Sequence, residues 1–376
     1  MSPLTKSRRP RCVAIGGGTG LPAVLLGLKA ALGLDGTSGE EARECLTGIV
    51  TVSDDGGSSG RLRSQMGMLP PGDVRNCLAA LAPDDSPLTQ LLQHRFCGDS
   101  DLAGHPVGNL LLAALTQMTG DFQTAISALG ALLQLQGSVF PSTAQDVKLR
   151  AEFHSGEILD GETAIASRGA RIKRLSLERP VRPIPETIRA LVNADIIVVG
   201  PGSLYTSILP NLLVGGIAST LAGVRAVRIY VANLMTEPGE TDGYTLEDHL
   251  AAIRAHVGVD LFDYVLVNRR SIGSPAIDKY VRSGSCPVAP AQRATVGAHA
   301  AVVERDLAWQ VNQGKIRHAP GPLAKAILDL GRAGRPFCCP ETAGAIPVRL
   351  AARPATNDVI GGLSSQRFDD KKHLNG

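Results

Sequence analysis

The chain has 376 residues, 44% hydrophobic and 19% charged, with a net charge of +3; that is enough to bury a sizeable core over two or three domain lengths of about 150 residues. So small and scattered a charge excludes a nucleic-acid footprint, and aromatics at 3% leave few platforms for stacking bases and demand an aliphatic core. No apolar stretch reaches the roughly 18 residues of a membrane span; the nearest, around Leu212 to Val227, is broken by Gly215, Gly216, Gly223 and Arg225.

Residues 1–10 are basic, carry Pro3 and Pro10, and read as a flexible start. The apolar run Cys12–Ile15 that follows is too short for a signal segment. It is the first of five short, β-branched runs, the others being Ile49–Val52, Ile196–Val199, Arg228–Val231 and Tyr264–Val267. Each is nearly continuous rather than alternating, as expected for strands covered on both faces. Helical periodicity spans Leu21 to Leu32, Asn109 to Met118, Phe122 to Leu133, Glu186 to Val192 and Leu246 to His256. Strands alternating with helices imply βαβ units, hence a three-layer, doubly wound, mostly parallel Rossmann-like α/β sheet.

The stretch from Asp146 to Ser176 breaks this rule, because apolar and polar residues alternate as in Val147-Lys148-Leu149-Arg150. It reads as antiparallel hairpins with one wet face, a small α+β insertion over residues 145–180 of a domain running from 11 to 333. From 334 to 376 the composition turns rich in Pro, Gly and Ala with a polar end, and a disordered tail is expected. The cysteines at 12, 45, 77, 97, 286, 338 and 339 show no C-x-x-C spacing, which points to reduced thiols in the cytoplasm rather than to a zinc or redox motif.

The chemistry lies in what ends the five strands. The first leads into Gly16-Gly17-Gly18-Thr19-Gly20-Leu21, the second into Ser53-Asp54-Asp55-Gly56-Gly57-Ser58-Ser59-Gly60-Arg61, and the third into Gly200-Pro201-Gly202-Ser203. The fourth ends at Asn233 and the fifth at Asn268. In an open parallel sheet these carboxyl ends share one edge, where ligands bind at a topological switch point. The first loop misses the third glycine of G-x-G-x-x-G, since position 21 is Leu, and no P-loop is present. Glycines still let backbone approach an anion, and the following helix points its N-terminal N–H groups at it. A phosphorylated, nucleotide-type ligand is therefore expected; a tight turn needing positive φ is the plainer alternative.

Asp54 and Asp55 are suited to holding Mg²⁺ against a diphosphate or to hydrogen-bonding a sugar, with capping and turn-making as the competing role. Gly200 to Ser203 offers a second helix start suited to phosphate. In Pro71-Gly72-Asp73-Val74-Arg75-Asn76, Asp73 reads as a helix cap, with Arg75 and Asn76 left for a ligand. Gly104-His105-Pro106-Val107-Gly108-Asn109 is another glycine-flanked loop; His105 suits acid–base work but is more often a hydrogen-bonding bystander. No hydrolytic triad or zinc-protease motif appears.

Taken together, these loops resemble the YvcK family, the gluconeogenesis-factor group within the CofD-like fold, over roughly residues 11 to 330. The resemblance implies a UDP-sugar ligand, UDP-N-acetylglucosamine or UDP-glucose, with no cofactor required. It implies a regulator of cell shape and cell-wall precursor supply during gluconeogenic growth rather than an enzyme. It also extends the contacts to Tyr280 and Arg317, and allows a homodimer and a cell-wall-synthesis protein as partners. The sister group, the 2-phospho-L-lactate transferases, is the alternative. There Asp54 or Asp55 would carry Mg²⁺ for a transfer that needs positioning and charge neutralisation more than a nucleophile.

Overall fold

Alternate residues of the first strand face opposite layers, and none is exposed: Cys12 and Ala14 join one hydrophobic cluster, Val13 and Ile15 the other. A strand buried on both faces has to be flanked by helices on both sides, and the rest of the chain supplies them. In the computed structural model, residues 8–288 apart from 36 and 38, together with 300–311 and 315–336, are described. The five cysteines among them are unpaired.

Seven strands form one sheet: β1 (Cys12–Gly16), β2 (Leu46–Val50), β3 (Ser138–Pro141), β7 (Ile196–Val199), β8 (Val227–Val231), β9 (Tyr264–Asn268) and β10 (Ala301–Arg305). Their order is β10-β9-β8-β7-β1-β2-β3, and every pairing is parallel. The winding reverses between β1 and β7, so the switch point lies between the loops that follow those two strands. β3 and β10 are the outermost strands, and the carbonyl of Pro141 at the end of β3 accepts from Thr187 Oγ1 at 3.0 Å.

Helix Gly20–Ala31 shows how one layer is held. Leu21, Val24, Leu25 and Leu28 recur at helical spacing and are wholly buried, each worth about 1.5–3 kcal/mol of apolar transfer. Leu25 seats on Gly48 of β2, where a Cβ would lie 3.0 Å from Leu25 Cδ1. Helices Gly72–Leu81, Val107–Thr119, Phe122–Leu132 and Pro320–Ala333 complete that face; Pro185–Asn193, Leu209–Leu213, Ile217–Gly223 and Leu246–Val257 cover the other. A π-helical turn, Leu204–Ile208, leads into Leu209–Leu213.

Between β3 and β7 the chain builds a separate antiparallel sheet from β4 (Leu149–Phe153), β5 (Ile158–Asp160) and β6 (Ile172–Leu177), with helix Glu162–Arg168 between β5 and β6. It docks through His256, whose Nε2 accepts the Leu175 N–H at 2.9 Å while Nδ1 contacts the Ala252 carbonyl at 2.6 Å. A carbonyl can only accept, so Nδ1 carries the proton and the ring is neutral; burial lowers its pKa accordingly. β11 (Ala308–Val311) and β12 (Lys315–His318) form an antiparallel pair. The expected tail from residue 337 onward lies outside the described residues, as do residues 1–7. Among the described residues no single helix is long and apolar enough to cross a membrane.

Candidate functional site

The loops after β1 and β7 meet at the switch point, backbone against backbone. A Cβ on Gly20 would lie 2.2 Å from the Pro201 carbonyl oxygen, and one on Gly17 would lie 2.7 Å from both Asp73 Oδ2 and Thr51 Cγ2. Gly18 takes φ +61° and Gly200 φ +80°, the left-handed region that favours glycine. Part of the glycine richness thus serves packing of the protein on itself. Leu21 belongs to the core, while Thr19 is exposed at the loop tip.

Asp73 does not cap its own helix. Its Oδ2 accepts the Gly18 N–H at 2.7 Å, tying helix Gly72–Leu81 to the first loop. Below the loops, Asn211 is fully buried and donates to the carbonyls of Gly16 at 3.0 Å and Ser207 at 2.7 Å. Asn233 clips the third loop from the side, accepting the Gly202 N–H at 3.0 Å and donating to the Gly202 carbonyl at 2.9 Å.

The second loop divides its two aspartates. Asp54 Oδ1 accepts the Gly56 N–H at 2.9 Å; Asp55 Oδ1 accepts the N–H of Thr163 at 2.8 Å and its hydroxyl at 2.6 Å, joining the loop to the inserted sheet's helix. Asp54 serves its own turn, and Asp55 serves the first turn of helix Glu162–Arg168. Among the described residues no group of three or more His, Cys, Asp or Glu is placed to hold a metal. Among those residues Mg²⁺ would find too few ligands without a phosphate to complete its shell.

Farther along the loop, Ser58 Oγ lies 2.8 Å from His105 Nδ1 and accepts from Asn109 Nδ2 at 3.0 Å, and Arg61 donates to the Ala103 carbonyl at 2.7 Å. Arg75 does not stand apart from Asn76, because its Nη2 donates to Asn76 Oδ1 at 2.7 Å. Asn268 is used by the backbone: its Oδ1 accepts the N–H groups of Leu307 and Ala308, each at 3.0 Å. Tyr280 reaches the strand that carries Arg317, its Oη accepting the Ile316 N–H at 3.1 Å. Arg317 lies close enough to Glu237 to act on its charge: burial raises the Glu237 pKa, and the Ser203 hydroxyl and the Arg317 charge partly hold it down.

Carboxyl groups that the sequence reading passed over crowd this edge. Ser53 Oγ contacts Glu162 Oε2 at 3.4 Å, and Thr206 Oγ1 contacts Glu240 Oε1 at 3.5 Å. Burial, then neighbouring acids led by Asp54, pushes Glu162 up to about 9. Burial and Glu237 push Glu240 up to about 8, and burial outweighs the Gly18 hydrogen bond to bring Asp73 up to about 6. The folded protein therefore binds more protons than the unfolded chain as pH climbs from the ordinary glutamate value of 4.5 towards 9. Stability present at low pH should be lost through that window. Thermal melts at intervals from pH 6 to 9 should show Tm falling, with a flatter profile for Glu162→Gln; a variant profile as steep as the parent's would refute the assignment.

A doubly wound sheet with glycine loops facing each other across the switch point is shared with proteins of known family. A family model described as 2-phospho-L-lactate transferase CofD matches residues 12–308. The chain belongs to the YvcK (UPF0052) family of gluconeogenesis factors within that group. The gluconeogenesis factor of Bacillus subtilis is 41% identical over 324 residues, covering 86% of this chain and 98% of that protein. The gluconeogenesis factor of Halalkalibacterium halodurans is 45% identical, covering 75% of this chain and 84% of its own. A crystal structure of a UPF0052-family member from Bacillus halodurans superposes with a TM-score of 0.79 at 40% identity, covering 86% of this chain and all (100%) of that one.

Proposed function

We propose that the chain binds a UDP-sugar, UDP-N-acetylglucosamine or UDP-glucose, across the switch point, and acts as a cytoplasmic regulator of cell shape and cell-wall precursor supply during gluconeogenic growth. The observation that carries this reading is where helices begin. Helix Gly20–Ala31 starts at the first loop and Gly57–Met66 within the second, and neither N-terminus has a side-chain cap. Uncapped N-terminal N–H groups along one edge suit the oxygens of a diphosphate. The first and third loops would hold the diphosphate, Asp54 and Asn76 would orient ribose or sugar, and Tyr280 with Arg317 would close over it.

Calorimetric titration with UDP-N-acetylglucosamine, UDP, GDP and NAD, each with and without Mg²⁺, tests the proposal. Micromolar binding of the UDP-sugar is expected, with the ligand chemically unchanged after long incubation. Gly18→Ala, forced into a left-handed conformation, should weaken that binding. Preference for a guanine nucleotide, or Mg²⁺-dependent conversion with an acceptor, would instead favour a transferase using Asp54 or Asp55.

A further inference from the structure

Arg75 is 7% exposed, and among the described residues it forms no ion pair. Its stem crosses Gly108, where a Cβ would lie 2.8 Å from Arg75 Cγ and 3.0 Å from Cδ. That contact brings the side chain to the first turn of the 13-residue helix Val107–Thr119, whose N-terminus has no side-chain cap. The Nη2 donates to Asn76, but Nε is buried without a partner. The neighbouring Asn109 is 1% exposed; its Nδ2 donates to Ser58 while its Oδ1 is also buried without a partner. Arg61 and Arg95 add positive charge: after burial, they are the groups that lower the pKa of His105, which touches the same Ser58 hydroxyl. The nearest acid on Arg75's own helix, Asp73, is committed to Gly18.

A buried guanidinium that makes no ion pair among the described residues, at a helix N-terminus and with Arg95 adding positive charge, favours an oxyanion. The unpartnered Asn109 Oδ1 narrows the choice, because it asks for a donor where Arg75 Nε asks for an acceptor. A carboxylate near neutral pH has no proton to give. Neither has the diphosphate of a nucleotide sugar, whereas a terminal phosphate, whose second pKa near 6 leaves the monoanion within reach of neutral pH, offers acceptor oxygens and, in that form, a P–OH. We propose that Arg75 and Asn109, at the start of helix Val107–Thr119, form a subsite for a terminal phosphate, either inorganic or a phosphate monoester, separate from the glycine loops. It stands independently of the UDP-sugar reading.

The probe is inorganic phosphate, with sulfate as an oxyanion lacking the proton, and the readout is the NMR titration of the His105 ring, assigned with a His105→Gln variant. Bound phosphate should raise the pKa of His105, and sulfate should bind more weakly. Arg75→Met should weaken phosphate binding by about 10- to 100-fold, and Arg75→Lys, keeping charge but not the planar Nε, by less. UDP-N-acetylglucosamine should bind alongside phosphate without displacing it; displacement would overturn a separate subsite. A His105 titration indifferent to phosphate in the unsubstituted protein would overturn the proposal whether or not the variants fold. Glucose 6-phosphate in place of phosphate separates the two sources: tighter binding assigns a monoester, and equal or weaker binding assigns the free ion.

Discussion

Gly20→Ala should lower stability by about 3 kcal/mol or more, the upper range for overpacking. The new methyl would meet the Pro201 carbonyl oxygen at 2.2 Å, the Pro201 carbonyl carbon at 2.8 Å and the Gly202 nitrogen at 3.3 Å, and backbone cannot rotate aside as a side chain can. One of the two loops must retreat, and with it the alignment of both at the switch point. Gly331→Ala is the matched control. Its nearest neighbours, Ile196 Cδ1 at 2.1 Å and Cγ1 at 2.7 Å, belong to a side chain rather than to backbone. Its cost should be small and partly offset by the roughly 1 kcal/mol that alanine gains over glycine in a helix interior. Urea denaturation of the two variants decides the matter: equal losses would mean that the loops do not meet as described.

Asp263→Ala should cost about 3–5 kcal/mol, because it leaves a buried charge without its partner. Asp263 has no exposed surface, and its oxygens accept from the backbone N–H of Arg228 at 2.9 Å, from Arg228 Nε at 3.0 Å and Nη2 at 2.8 Å, and from Arg335 Nε at 3.0 Å. The double change Asp263→Ala with Arg228→Met should recover part of the loss, since it removes the stranded cation as well. The pH dependence has the opposite sign to that of Glu162. Burial alone would raise the Asp263 pKa, but the bonds and charge of Arg228 outweigh it and the net shift is downward. Its stabilisation is therefore present above the ordinary aspartate value of 3.8 and is lost as pH falls through the lower folded value. The acid limb of a stability profile should flatten in Asp263→Ala. An unchanged acid limb, or a loss below about 1 kcal/mol, would show that the pair is not closed.

The five strands read from sequence are all present because a strand buried on both faces cannot hide its apolar run. Ile196–Val199 was legible to the residue. β2 begins at Leu46 rather than Ile49 because Thr47 and Gly48 interrupt the apolar pattern, although Thr47 is buried and Gly48 makes room for Leu25. β3 and β10 escaped notice: one is four residues closing on Pro141, and the other ends in Glu304 and Arg305. At the site, glycine loops announce themselves, but side chains that cross between elements do not. Asn211 sits inside an apolar helix, and Glu162 and Glu240 come from segments far from the loops, where glutamate ordinarily faces water. Tyr280 and Arg317 were reached only through family resemblance. No local pattern marks a tyrosine whose hydroxyl accepts a backbone N–H from β12.

The two ends of the sheet constrain how this protein can meet another copy of itself. Proline has no N–H to offer, and the carbonyl of Pro141 is taken by Thr187, so the β3 margin is a poor template for strand addition. At the opposite margin Glu304 and Arg305 are exposed and Arg269 pairs with Asp306, charges that discourage edge-to-edge growth. Self-association through a continuous intermolecular sheet is therefore disfavoured at both margins.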